Sequence, residues 1–258
     1  MRKLALIIET IGPPGAGKTT VRNYIVNRLA KEKINVLNLK KLEQEIINKK
    51  YQLNHKGYIG RIIGKVFFYT IIYTNPIIRQ SIISYPIENI SKARRHRLYW
   101  YTRDLVITYY YQRLIDQIQY IYFPDEGIFQ HFTGIKVFGA GNIPYFYQHL
   151  IDAIKKTNIL LLQIILPSDE CFHRLLARGI PSTWPFYYRT NKQIRIINKN
   201  YYNAINTIIN DISLKDIKII KINTSGDFKS VQKLLDRKYT EIKSYLYEHT
   251  NHSEYISI

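Results

Sequence analysis

Apolar residues run together in short blocks along the chain, and the blocks are separated by segments in which they recur at helical spacing. "LALIIETI" (4–11) is one such block, followed by a cluster of glycines. After the glycines, Val21, Tyr24, Ile25, Arg28 and Leu29 fall on one helical stripe. Short apolar runs bounded by turn residues are the pattern of buried parallel strands, and period-3.6 stripes are that of the helices covering them. The same reading predicts strands in "KINVLNL" (33–39), at the start of "YIYFPDEG" (120–127), in "NILLLQIILP" (158–167) and in "IKIIKINTSGDF" (217–228). It predicts helices over "KKLEQEIINKK", over "SDECFHRLLARG" with Ser168 as N-cap and Gly179 near the end, and from about Lys229 to Tyr247. The last residues, "EHTNHSEYISI", read as a frayed tail. Strands alternating with helices imply an α/β fold.

Residues 51–120 break this alternation. They are long, aromatic and poor in glycine, and they read as helical with interruptions at Pro76 and Pro86. Between 51 and 100 there are eight Lys or Arg against one acid, Glu88. "VFFYTIIY" (66–73) is too short to span a bilayer; it suits a core or lid segment, with a membrane-surface or lipid-acceptor site as the sharper reading. "SKARRHR" (91–97) is a basic helix start, either a solvated face or an anion clamp.

The turn after the first strand carries the chemistry. Gly12, Pro13, Pro14, Gly15, Ala16, Gly17, Lys18 and Thr19 fit G-x-x-x-x-G-K-[ST] at every fixed position, in the required order of strand, turn and helix. Glycines let successive N–H groups turn inward, and the helix N-terminus adds unpaired N–H groups and a positive dipole end. Such a loop is expected to hold ATP, with Thr20 at its edge. Lys18 would reach the β- and γ-phosphates, and Thr19 would offer its hydroxyl to Mg²⁺. A second requirement is a carboxylate at the end of a neighbouring strand, and Asp125 and Glu126 are the acids in that position. Arg174 and Arg178 lie at i, i+4 on one helix face. Cys171 and His173 sit nearby without metal-ligand spacing to other Cys or His and read as structural.

Composition adjusts this picture at three points. With 258 residues, a single α/β domain with a sizeable insertion is expected. One cysteine excludes an internal disulfide and suits a reducing, ATP-containing compartment, so a cytoplasmic location is expected. "MRKLALII" leads straight into the glycine turn and reads as strand one rather than a secretion leader. A formal charge of +19 favours anionic partners such as nucleotides, phosphorylated sugars, nucleic acid or acidic lipid surfaces. A bland drift toward Lys, Ile, Asn and Tyr explains the charge equally well.

Taken in order, the loop 12–19, the acids of "YFPDEG", the helix and lid "HRLLARGIPSTWPFYYR" and the strand–turn "IIKINTSGD" resemble the P-loop kinases related to nucleoside and nucleotide kinases, such as thymidylate and adenylate kinase. The resemblance implies a P-loop NTPase three-layer sandwich with a parallel five-stranded sheet of order 2-3-1-4-5. Residues 51–120 would be a helical acceptor-side insertion, and 178–197 a lid. Asp125 would take the place of the aspartate after strand three. Arg174, Arg178 and Arg189 would supply lid arginines, and residues 224–227 would border the adenine. The function implied is an ATP- and Mg²⁺-dependent phosphotransferase acting on a small anionic or sugar-like acceptor, a nucleoside or nucleotide included. A homodimer through helices would suit that group. The Asp-Glu strand end departs from the Asp-Arg of thymidylate kinases and the Glu-Arg-Ser of deoxynucleoside kinases. Asp-Glu-Gly also resembles the strand end of ATP-binding proteins associated with bacterial surface-polysaccharide synthesis.

Two other classes compete. A nucleic-acid-binding NTPase or polynucleotide end kinase would use the charge and the aromatics of "SKARRHRLYWYTRDLVITYYY" (91–111) to stack bases. A non-catalytic nucleotide binder would need only the loop. A GTPase-type switch is excluded by the missing N-K-x-D motif, since "NKN" at 198–200 is followed by Tyr201.

Overall fold

In the computed structural model, residues 6–34, 36–37, 121–138, 158–180, 189–213 and 217–249 are described. The reading of 51–120, with its basic and aromatic segments, lies outside them, as do the helix expected over "KKLEQEIINKK" and residues 181–188 of the expected lid.

Five strands form one sheet: β1 (Leu6–Ile11), β2 (Val36–Leu37), β3 (Ile121–Tyr122), β4 (Asn158–Ile165) and β5 (Lys218–Asn223). Their order is β2-β3-β1-β4-β5 and every pairing is parallel, as the resemblance implies. The helices are α1 (Lys18–Lys31), α2 (Ile128–Phe138), α3 (Ser168–Ala177), α4 (Asn191–Ser213) and α5 (Phe228–His249). Among the described residues, no helix is long and apolar enough to cross a membrane.

Alternation along β1 sends successive side chains to opposite faces. Leu6 and Ile8 join one core cluster with Val21, Ile25 and Leu29 of α1 and Leu235, Tyr239, Ile242 and Leu246 of α5. Those positions recur at three and four residues, so each helix seats one stripe on the sheet. α1 and α5 are also tied at their edges: Tyr24 donates to the Asp236 carboxylate, and Lys243 pairs with Glu32 at 2.8 Å. The opposite face carries Ile7, Glu9 and Ile11, with α2 against it. Phe138 of α2, Phe172 and Leu175 of α3, and Ile194 and Tyr201 of α4 close a second, smaller cluster.

Three local expectations change. The N-cap of α3 is Pro167, and Ser168 is its first helical residue with no side-chain cap bond. A proline before the first turn presets φ and leaves no donor to satisfy. The segment 191–197, read as part of an irregular proline- and aromatic-rich stretch, forms the opening turns of α4, a helix of 23 residues. α5 runs on through Glu248 and His249, which were expected to fray.

Candidate functional site

In a parallel sheet all strands end at one edge, so the turns after β1, β3, β4 and β5 meet there. The turn after β1 is shaped by two left-handed glycines: Gly15 has φ 86° and Gly17, the N-cap of α1, has φ 92°. At Gly15 space forbids a side chain as well, because a Cβ would lie 2.3 Å from the Cys171 carbonyl oxygen of α3. Ala16 N–H donates to the Pro13 carbonyl at 3.1 Å, which closes the curl. Pro14 is buried, and Thr19 and Thr20 are exposed on the first turn of α1.

Lys18 is partly buried and its ammonium folds back into the turn, donating to the carbonyls of Gly12 at 2.7 Å and Pro13 at 3.2 Å. Burial lowers its pKa to about 8, which outweighs the opposing pull of Glu126; Arg178 pushes in the same direction as burial. Glu126, Arg178 and the Cys171 thiol therefore all lie within electrostatic reach of Lys18. Burial also raises the Cys171 thiol to about 11, so it stays protonated and inert. His173 is exposed on the outside of α3.

Asp125 is 74% exposed and forms an ion pair with Arg22 of α1 at 2.8 Å. Arg22 is largely buried; its Nε and Nη2 both donate to the Phe123 carbonyl at 3.3 Å, and its guanidinium lies over the Phe123 ring. This arginine locks the end of β3 onto α1 and draws Asp125 toward the turn that carries Thr19. Glu126 is 57% exposed, with one oxygen 3.9 Å from His131 Nδ1.

Arg174 and Arg178 separate in role. Arg174 donates to the Thr224 carbonyl at 2.8 Å and lies 3.8 Å from Glu170. Thr224 is buried, and its hydroxyl donates to the Ala16 carbonyl at 2.7 Å. Arg174 thus reaches the glycine turn through Thr224. Arg178 is the exposed C-cap of α3. Arg189 is exposed before α4, while Arg195 pairs with Asp169 at 3.3 Å and lies over Phe172, which docks α4 on α3.

The motif pattern missed three residues. Arg22 and Gln130 carry no motif signal. Glu9 does carry one, since it is a lone acid inside an apolar strand run. It is fully buried; its Oε1 accepts N–H bonds from Phe129 at 2.5 Å and Gln130 at 3.1 Å, in the first turn of α2. Burial raises its pKa to about 8 against the pull of those N–H groups.

Compared with known proteins, the chain matches no family model and no curated protein. Among the described residues, no three His, Cys, Asp or Glu side chains group to cage a metal ion. A Mg²⁺ ion held largely by phosphate oxygens and water needs no such cage. The exposed Thr19 hydroxyl and the exposed Asp125 carboxylate, drawn to the same turn, fit that mode.

Proposed function

We propose that this protein is an ATP-dependent phosphotransferase acting on a small-molecule acceptor, and that the turn 12–19 is its phosphate-binding loop. The observation that carries this reading is the curl of the turn itself, with left-handed glycines at 15 and 17 and the Lys18 ammonium folded into it against the Gly12 and Pro13 carbonyls. A loop that served only to connect strand and helix would gain nothing from burying a lysine whose charged form burial disfavours.

The backbone N–H groups of Gly15 and of 17–19 would bind the β- and γ-phosphates. Lys18 would leave the Gly12 and Pro13 carbonyls and pair with the transferring phosphoryl group, whose oxygens carry the developing charge. Arg178 would approach the same group from α3. Thr19 and Asp125 would hold Mg²⁺, which supplies charge neutralisation between the phosphates. Glu126 would orient the acceptor hydroxyl or phosphate and take its proton. Arg174 would keep the loop in register through Thr224. The acceptor is anionic or sugar-like, matching the basic character of the chain. The nucleic-acid alternative rests on residues 91–111, outside the described residues.

The test is ATP consumption with Mg²⁺ across nucleosides, nucleoside monophosphates, free and phosphorylated sugars, lipid-linked saccharides and 5′-hydroxyl oligonucleotides. Acceptor-dependent turnover is expected, and Lys18→Ala should lower it by about 10³-fold with an unchanged circular dichroism spectrum. Turnover in Lys18→Ala near that of wild type would overturn the mechanism. Stimulation by oligonucleotides alone would move the reading to a polynucleotide kinase or nucleic-acid-dependent NTPase.

A further inference from the structure

Glu9 has no part in the motif, yet its contacts lie between the glycine turn and the strand-end acids. We infer that Glu9 is the positioning residue that fixes the glycine turn relative to the strand-end acids. Three contacts link these parts. The first is with Gly127, the residue after Asp125 and Glu126: a Cβ there would lie 2.1 Å from Glu9 Cδ, so the chain at the acids rests directly on the Glu9 carboxyl. The second is with α2, whose Phe129 and Gln130 N–H groups both donate to Glu9 Oε1. The third runs through Gln130, whose side-chain oxygen accepts from Gly12 N–H at 3.4 Å.

Glu9 lies three residues before Gly12 on the same strand, so the contacts close a short circuit: β1 to α2 through Glu9, and α2 back to the turn through Gln130. The acids enter that circuit at Gly127. A buried acid is a costly way to fill a strand position, and an aliphatic side chain would pack there at lower cost. Its second oxygen has no hydrogen-bond partner. The arrangement is explained if the acceptor oxygen aimed at the first turn of α2 is what matters, because a helix N-terminus presents N–H groups that need a partner. Glu9 touches no substrate in this account. It sets where Glu126 stands relative to Lys18, and where Gly12 holds its end of the loop.

The test compares Glu9→Ala and Glu9→Gln by amide hydrogen exchange and by the Kd for MgATP. Ile8→Ala, a destabilising change on the opposite face of the same strand, is the control. Glu9→Gln keeps an oxygen for the two N–H groups and should hold both readouts within about threefold of wild type. Glu9→Ala should speed exchange of amides 12–17 and 125–130 by about tenfold more than Ile8→Ala does, and raise the Kd by about tenfold or more. Gln130→Ala should speed exchange at 12–17 and leave 125–129 as in wild type. If Glu9→Ala does not fold, Glu9→Asp, one methylene short, stands in for it. Equal exchange in Glu9→Ala and Ile8→Ala, or a Glu9→Gln as defective as Glu9→Ala, would overturn the inference. The nucleotide readout rests on the phosphotransferase reading and the exchange readout does not, so a wild type that fails to bind MgATP counts against that reading alone.

Discussion

On one side of β1, Leu6 and Ile8 meet only carbon: Val21, Ile25 and Leu29 of α1 and the apolar stripe of α5. On the other side Glu9 meets backbone N–H groups of α2, in a neighbourhood that also buries Gln130, His131 and Thr133. The strand register brings Gln163 of β4 onto that second face as well, beside Ile11. The first face needs only shape and volume, so many apolar sets would serve it. The second face is directional. The bonds from Glu9 and Gln130 have fixed lengths and directions, so they constrain the positions of α2, the strand-end acids and the glycine turn. Both faces bury apolar residues, but the second adds alignment to packing.

The sharpest way to test that division is to damage the carbon side alone. Ile8→Ala should destabilise the protein by about 2–5 kcal/mol, the lost transfer free energy plus the cavity left behind. Chemical denaturation would read this directly. In the folded fraction, MgATP affinity should remain within about twofold of wild type, because the change removes only carbon and leaves the Thr224, Arg22 and Glu9 contacts in place. A tenfold loss of affinity in folded Ile8→Ala would dissolve the distinction between the faces.

A smaller effect is expected where the sheet edge meets the turn. Thr224 donates to Ala16 and also lies 3.3 Å from the Ile165 carbonyl, so one hydroxyl joins β4, β5 and the loop. Thr224→Val keeps the shape and removes the hydroxyl. The expected cost is about 1–3 kcal/mol, for buried carbonyls that lose their donor. MgATP affinity should fall along with stability, unlike the result for Ile8→Ala. Unchanged affinity in Thr224→Val would confine the directional contacts to the α2 side.

The strand, the turn and α1 were legible because their signals are local: an apolar run, two glycines at fixed spacing and a helical stripe within 26 residues of sequence from Leu6 to Lys31. The sheet order β2-β3-β1-β4-β5 followed only from the resemblance, since no local pattern encodes which strands are neighbours. α4 went unread although Ile194, Tyr201, Ile205 and Ile208 carry a helical stripe. The prolines and aromatics just before it drew the reading toward an excursion. Arg22 and Gln130 act through contacts 101 and 118 residues away in the chain, which periodicity cannot see. Glu9 differs from these. An acid inside a buried strand run conflicts with its surroundings in the sequence itself, and such conflicts are where function or alignment is to be sought.

That conflict gives the most specific expectation. In the folded protein, burial raises Glu9 from 4.5 to about 8, while in the unfolded chain it titrates as an ordinary carboxyl. Between those values the folded state holds a proton that the unfolded state has released. Stability from this group is therefore complete below 4.5 and is lost as the pH rises through about 8. The slope is at most about 1.4 kcal/mol per pH unit. Glu9→Gln cannot titrate and lacks that slope. Subtracting its unfolding free energy from that of wild type, at matched pH from 5 to 9, cancels the histidines and other groups common to both. The difference should drift against wild type with rising pH and level off above about 8. A flat difference would mean that the N–H groups of α2 hold Glu9 ionised throughout. The carboxylate would then be fixed by the helix terminus more strongly than burial opposes it, and the polar side of β1 would be a permanent buried charge rather than a titrating one.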